Sequence, residues 1–452
     1  MKRRFLSFFS VFSCSALLLA AFPLAAQDFG FGFDDEDAEV EASSGGGGGG
    51  EAAAGGVSIS GEVSASLLGY GKDFSDGLNK TRLGDVFSGT LKFSAGNAFG
   101  DAVIALKLSP TSLPVAFDEA YLRAYFGVVE IEGGLRKLTW GKADSLGPLD
   151  VINPLDYTEI TDVSDAMNMK IARPLIHATA RFGQFSKIEG VFVPTFEPWR
   201  FASEGRWAPG QMAQLQAINP SVVPSTPDIA TLNYAQAGGR FTTTLGSSDI
   251  GVQYYYGRLP KPAVKMTFTQ TPTPAISGIE FLYNPYHHIG VDWAQVLFGF
   301  NVRAEFAANI TNDLAGDDGA VYNPHLAWSF GFDRDLFWGV NLNLQVNETI
   351  TLLHDKIDPV INPMDIEAES DSTSTRLTAL FSKKFLRDEL EIRAAVLWGI
   401  EDKDFLIVPA IVWTRDAVSI EGSVGIFGGD EHGQLGYYHD NGFARLVLTY
   451  SF

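Results

Sequence analysis

The sequence predicts an all-β fold, a transmembrane antiparallel β-barrel of about 18 strands within a range of roughly 14 to 18. Three observations lead to this prediction. Apolar and polar residues alternate with a period of two from Val57 onward. The connections between the predicted strands are alternately short and long. The chain ends at Phe452, on an alternating strand rich in large apolar residues.

The start of the chain has the three parts of a secretory signal, which predicts cleavage of residues 1–26. Basic residues at 2–4 precede a mostly apolar stretch at 5–22, and small residues lie just before Gln27. A lipoprotein signal ending at Cys14 is the alternative, but the apolar stretch continues well past that residue. Because this cysteine is the only one in the chain, the mature protein is expected to have no cysteine chemistry.

Residues 27–56 differ in composition from the rest of the chain. They contain an acidic run at 34–41 and a glycine run at 45–50. Such a composition cannot bury a core, which predicts a disordered linker followed by a barrel at residues 57–452. A tether to a periplasmic partner is the functional alternative for this linker.

The overall composition argues against several classes of protein. Charged residues make up 19% of the chain, below the average of about 25% for soluble proteins. The formal net charge of −21 disfavours binding to nucleic acid or anionic lipid through bulk electrostatics. No apolar run after Ala26 has the roughly 18 residues of a membrane-spanning helix.

The lengths of the connections distinguish a membrane barrel from a soluble sandwich, since both folds show one-sided alternation. The alternation itself is clearest at residues 340–347, where apolar residues alternate with Asn and Gln. Bacterial barrels have short turns on one rim and long loops on the other. The predicted long loops cover residues 71–85, 141–175, 195–230, 258–287, 311–322, 350–373 and 427–440, and the shortest outer connections lie near Pro110 and Asp402.

The last predicted strand, at residues 442–452, places Leu446, Leu448, Tyr450 and Phe452 on one face. This ending resembles the C-terminal recognition signal of outer-membrane barrels. The resemblance implies that Tyr450 and Phe452 act as an assembly signal for the barrel-assembly machinery. An even number of strands would place both termini at the short-turn rim, which predicts periplasmic termini and a location in the bacterial outer membrane.

The most distinctive motif extends over residues 134–156. A strand ends at Trp140-Gly141, and the following loop contains an Asp…Asn-Pro…Asp pattern. This segment resembles one in a little-characterised family of porin-like outer-membrane proteins. The resemblance implies a passive channel or an exporter-like barrel, with no known chemistry.

We predict that the loop at residues 141–175 folds into the lumen and narrows it, because connections of this length usually have a function. Its constriction residues would be Asp144, Asp150, Asn153 and Asp156. The alternative is an external loop with stable turns. The three aspartates are also candidates for a divalent-cation site, although their spacing matches no known calcium loop.

The predicted inner wall contains charges of both signs. Basic side chains directed at lipid would be costly, so these residues are expected to face the lumen. They form either a solvated wall of neutral pairs or a selective eyelet. The loop acids are expected to face Arg123 and Arg136 across the opening. The full predicted pore lining is Lys107, Arg123, Glu130, Glu132, Arg136, Arg303, Glu305, Glu391 and Arg393.

The sequence predicts a channel for passive diffusion of small hydrophilic solutes. The alternatives are a substrate-specific transporter of hydrophobic compounds, of the fatty-acid-uptake type, and a surface adhesin or structural barrel. Neither the histidines at 287–288 nor those at 432 and 439 have zinc-site spacing, and nucleotide and hydrolase motifs are absent. We therefore expect no enzyme activity, metal or cofactor. The expected partners are outer-membrane lipid, small solutes and, in a homotrimer, further copies of the chain.

Overall fold

The computed structural model describes residues 56–76, 87–109, 114–144, 146–161, 166–209, 225–269, 275–358, 365–368 and 370–452. The predicted signal at 1–26 and all but the last residue of the predicted linker at 27–56 lie outside these ranges. Within them, 18 strands form one sheet in which every pairing is antiparallel. The predicted all-β barrel of about 18 strands is therefore confirmed.

The strands of the barrel are β1 (Val57–Tyr70), β2 (Phe87–Asn97), β3 (Gly100–Leu108), β4 (Val115–Phe126), β5 (Val129–Arg136), β7 (Arg173–Phe182), β8 (Ser186–Val193), β10 (Gln236–Leu245), β11 (Ser248–Arg258), β14 (Pro285–Leu297), β15 (Phe300–Thr311), β16 (His325–Asp335), β17 (Asn341–Thr351), β18 (Thr373–Phe385), β19 (Leu390–Gly399), β20 (Asp404–Arg415), β21 (Val418–Gly429) and β22 (Phe443–Ser451). Four further strands lie in connections: β6 (Asp156–Tyr157) pairs with β9 (Arg200–Phe201), and β12 (Ala263–Thr269) pairs with β13 (Ala275–Leu282).

In the part of the chain that the structure describes, the helices are short and lie in the connections. The α-helical segments there are Gly71–Asp76 and Ala166–Met169. The 3-10 turns are Leu232–Tyr234, Phe337–Gly339, His354–Lys356 and Gly436–Asn441. Among the described residues, no helix has the length and apolar character needed to cross a membrane.

The barrel closes where β1 pairs with β22, from Glu62 opposite Ser451 to Tyr70 opposite Phe443. Backbone N–H and C=O groups of Gly61 and Phe452 exchange two hydrogen bonds of 2.9 Å at the end of this seam. A closed sheet leaves no unpaired backbone edge facing lipid. The last residue of the chain is thus part of the closure.

We expect deletion of Phe452 to lower the amount of assembled barrel strongly, because it removes both seam bonds to Gly61 and the ring that stacks on Tyr450. The measurement is the outer-membrane level of the protein together with heat-modifiable gel mobility. Phe452→Tyr is the matched control, since it keeps an aromatic ring and the backbone bonds. Equal assembly of the deletion variant and the wild type would show that this residue is dispensable.

The two rims differ as the sequence predicts. The short turns are residues 98–99, 127–128, 183–185, 246–247, 298–299, 336–340, 386–389 and 416–417. The connections on the other rim are residues 71–86, 109–114, 137–172, 194–235, 259–284, 312–324, 352–372, 400–403 and 430–442. The first residue of β1 and the last residue of β22 both lie on the short-turn rim. A periplasmic location for that rim stays a prediction.

Side chains alternate between an apolar outer face and a polar inner face. In β17, Asn343, Gln345 and Asn347 are buried on the inside. In β14, Ile289 and Val291 are exposed on the outside. This is the arrangement of a barrel surrounded by lipid.

Candidate functional site

The connection at residues 137–172 links two neighbouring strands, β5 and β7, yet it extends far into the barrel. The two ends of the connection are joined by Asn153, a buried residue whose side chain forms hydrogen bonds with three backbone groups. The Asn153 side-chain amide donates to the carbonyl oxygens of Arg136 (3.1 Å) and Ile171 (2.8 Å). Its oxygen accepts the backbone N–H of Leu138 at 2.8 Å. Asn153 therefore holds the two ends of the connection together.

Two of the predicted constriction aspartates form ion pairs with residues of the outer connections rather than with residues of the barrel strands. Asp150 pairs with Lys170 of the same connection at 2.6 Å. Burial raises the pKa of Asp150, while the neighbouring ammonium of Lys170 acts in the opposite direction. Asp156 pairs with Arg200 of the next outer connection at 3.1 Å. Asp144 pairs with Arg303, so each of the three aspartates pairs with a different basic side chain.

The inner end of the connection is bound by Glu305 on β15. This carboxylate is 3% exposed and accepts the backbone N–H groups of Lys142, of Ala143 at 2.8 Å and of Leu149 at 3.2 Å. We name this arrangement the Glu305 latch. A carboxylate that accepts several backbone N–H groups in a buried place forms a strong anchor.

The latch depends on two glycines of the loop. Gly141 has φ of +112°, a left-handed conformation that favours glycine. A Cβ atom added there would lie 2.3 Å from Glu305 Oε1, and one added at Gly147 would lie 2.5 Å from Glu305 Oε2. The carboxylate therefore occupies the space that a side chain would need. This gives the Trp-Gly motif of the sequence a local physical reason.

The same part of the loop contacts β17. Asp144 pairs with Arg303 of β15 at 2.6 Å, and its backbone N–H donates to Gln345 Oε1 of β17 at 3.0 Å. The path around the sheet from β5 to β17 passes through β7, β8, β10, β11, β14, β15 and β16, so β17 lies nearly opposite β5 in an 18-strand barrel. Glu305 and Gln345 are close to the middle of their strands. The loop thus crosses the lumen near mid-height.

The prediction that the loop acids face Arg123 and Arg136 is wrong. Arg123 pairs with Glu130 (3.1 Å) and Glu132 (2.8 Å), and Arg136 pairs with Glu119 (2.9 Å). These carboxylates lie on the same or the adjacent strands, so they neutralise both arginines locally. The loop contacts the opposite wall instead, at Arg303, which also pairs with Asp333 at 2.8 Å.

Most other predicted pore-lining residues also have local partners of opposite charge. Glu391 lies opposite Lys384 in the register of β18 and β19. The remaining pairs are Lys107 with Asp118, Glu130 with Arg181, Glu132 with His177, and Arg393 with Glu421. The wall away from the loop is therefore lined by neutralised pairs.

A row of hydrogen-bonded polar side chains lies on the wall beneath the loop, and no motif in the sequence predicts it. Arg240 donates to Gln253 at 2.5 Å, and Gln253 donates to the carbonyl oxygen of Leu149 in the loop at 2.8 Å. His288 bonds Asn309 at 2.8 Å. The inward position of these residues follows from the period of two, which was the only signal in the sequence.

The outer half of the connection packs against apolar side chains from the opposite side of the barrel. Leu155 and Tyr157 belong to one buried cluster with Leu397, Leu406 and Phe427 of β19 to β21. The connection is thus held to the wall by polar contacts at mid-height and by apolar packing near the outer rim. It occupies part of the lumen at both levels.

Comparisons with known proteins support the fold. No protein-family model matches the chain, and no curated protein matches its sequence. Among solved structures, OccAB4 of Acinetobacter baumannii aligns with a TM-score of 0.50 at 9% identity, over 88% of this chain and 98% of that one. This chain therefore has the fold of an outer-membrane β-barrel. OccK9 of Pseudomonas aeruginosa aligns with a TM-score of 0.48 at 9% identity, over 88% and 98%. The outer-membrane channel DcaP of Acinetobacter baumannii aligns at 0.43 and 9%, over 90% and 99%.

Proposed function

We propose that this barrel is a passive channel for small hydrophilic solutes, and that the loop at residues 137–172 sets the width of its pore. The observation that carries the proposal is the Glu305 latch, which fixes the loop at mid-height on the far wall of a closed barrel. An external loop would have no such contact. A loop held in this position narrows the lumen.

The chemistry of the inner wall supports a path wetted by water. Charged pairs line β3 to β8, and Asn and Gln side chains line β17. Barrels of about this strand number are wide enough to enclose an aqueous channel. Polar inner residues with an apolar outer face would serve hydrophilic solutes better than hydrophobic ones.

The direct test is the current through single barrels, purified and inserted into a planar lipid bilayer. We expect discrete conductance steps that are proportional to voltage. Protein prepared without Phe452 and left unfolded serves as the control for detergent artefacts. Folded barrels that insert and stay silent would contradict the channel and favour the transporter of hydrophobic compounds or the adhesin.

A further inference from the structure

A cavity of about 40 Å³ lies between the infolded loop and the wall, near the outer ends of β7, β10, β11 and β14. On the same measure, roughly 10–15 Å³ is enough for one water molecule. The cavity therefore has room for a group of several atoms. The charged side chains that line it are Asp150, Arg173, Glu197 and Arg258.

Among these residues, Arg173 is buried with few partners for its charge. It is 2% exposed, and its only hydrogen bond among the described residues runs from Nη2 to the carbonyl oxygen of Thr195. Its Nε is buried without a hydrogen-bond partner. No carboxylate of the described residues lies within ion-pair distance of Arg173, and Glu197, which lines the same cavity, pairs with Arg200 instead. A buried guanidinium without an acid is costly, which points to a partner that is not part of the protein.

The other charges around the cavity leave it with an excess of positive charge. Asp150 is neutralised by Lys170 at 2.6 Å, and Glu197 by Arg200 at 2.7 Å. Among the described residues, the Arg258 guanidinium donates to two carbonyl oxygens, those of Tyr283 at 2.8 Å and Asn233 at 3.0 Å, and it lies 4.1 Å from the centre of the Tyr234 ring. Both acids therefore have cations elsewhere, whereas neither arginine that faces the cavity has a carboxylate of the described residues within ion-pair distance.

We propose that this cavity binds the carboxylate group of a small solute, with the Arg173 guanidinium as the main donor and Arg258 as the second. A planar guanidinium matches a carboxylate geometrically and bonds it more strongly than a neutral group. The inference deepens the proposed function and rests on it, because the solute would reach the cavity from the outer mouth on its way to the loop. Solutes that contain a carboxylate group are then the preferred class.

The test compares sodium acetate with acetamide, a neutral molecule of nearly the same shape. Each is added to the full-length barrel folded in detergent, at constant ionic strength set with sodium chloride, and the midpoint of thermal unfolding is followed. We expect acetate to raise the midpoint with a saturating dose dependence, because a ligand of the native state stabilises it. Acetamide should have no effect.

Variants of the cavity residues test whether the shift caused by acetate arises from binding in the cavity. Arg173→Gln should weaken acetate binding by roughly tenfold or more, the usual loss for a charge-assisted hydrogen bond. Arg173→Lys should bind acetate with an affinity between those of the wild type and Arg173→Gln, because lysine keeps the charge but lacks the planar guanidinium. Arg258→Gln should weaken binding as well, and it gives the answer if Arg173→Gln fails to fold. Arg181→Gln, at the exposed opposite end of β7, is the matched control and should bind acetate as the wild type does.

Equal shifts with acetate and acetamide, or wild-type acetate binding in both Arg173→Gln and Arg258→Gln, would overturn the proposal. The outcome is separate from that of the channel. A silent barrel with an acetate shift that depends on Arg173 contradicts the channel alone. A conducting barrel without this shift contradicts the carboxylate site alone.

Discussion

Excision of residues 145–168 should raise the single-channel conductance by about twofold or more, because a wet pore conducts according to its width. The removed segment includes Leu149, which donates to the Glu305 latch. It also includes the residues that pack against β19 to β21. Since β5 and β7 pair directly, the remaining residues 137–144 and 169–172 are long enough to join these neighbouring strands. The barrel itself should therefore stay closed.

A matched control removes residues 268–276 from the β12–β13 hairpin, which forms a separate two-stranded sheet in an outer connection. This second deletion should leave the conductance close to the wild-type value. Heat-modifiable mobility shows whether each variant is folded. Unchanged conductance of a folded barrel without residues 145–168 would mean that the loop does not limit the pore, even though it contacts the far wall.

The architecture could be predicted from the sequence because it depends on local patterns. In β17, four polar residues alternate with apolar ones, and the inner and outer faces follow directly from that pattern. Loop length separates the two rims except at the two short outer connections, 109–114 and 400–403, which only the alternation of rims along the chain assigns. The infolding of the loop was predicted from its length and its Trp-Gly start, and it remains the basis of the proposed constriction.

The partners of the loop could not be predicted in the same way. Glu305 is separated from Ala143 by 162 positions in the chain, and alternation shows only that both belong to the inside. The sequence predicts Arg123 and Arg136 as partners because they lie on nearby strands. In the structure, Glu132 touches both arginines. Adjacent strands bring such pairs within a few ångströms, so local neutralisation prevails over attraction across the lumen.

Glu305→Ala should release the loop from the far wall and give a larger and less steady conductance than the wild type. The substitution leaves the backbone N–H groups of Lys142, Ala143 and Leu149 without their acceptor. Each buried donor without a partner costs about 1–3 kcal/mol, so the latched position loses several kcal/mol in total. We expect frequent transitions between the wild-type level and a higher level in single-channel recordings.

Gly147→Ala tests the same latch from the loop side, since its Cβ would lie 2.5 Å from Glu305 Oε2. It should produce the same unsteady conductance without removing any charge, which separates the loss of the latch from a change in pore electrostatics. Glu401→Ala is the matched control: Glu401 also accepts a backbone N–H, from Thr375 at 2.7 Å, but in another outer connection. Steady wild-type steps in both folded latch variants would mean that the apolar packing near the outer rim holds the loop by itself. Unsteady conductance in Glu401→Ala as well would mean that the effect is not specific to the latch.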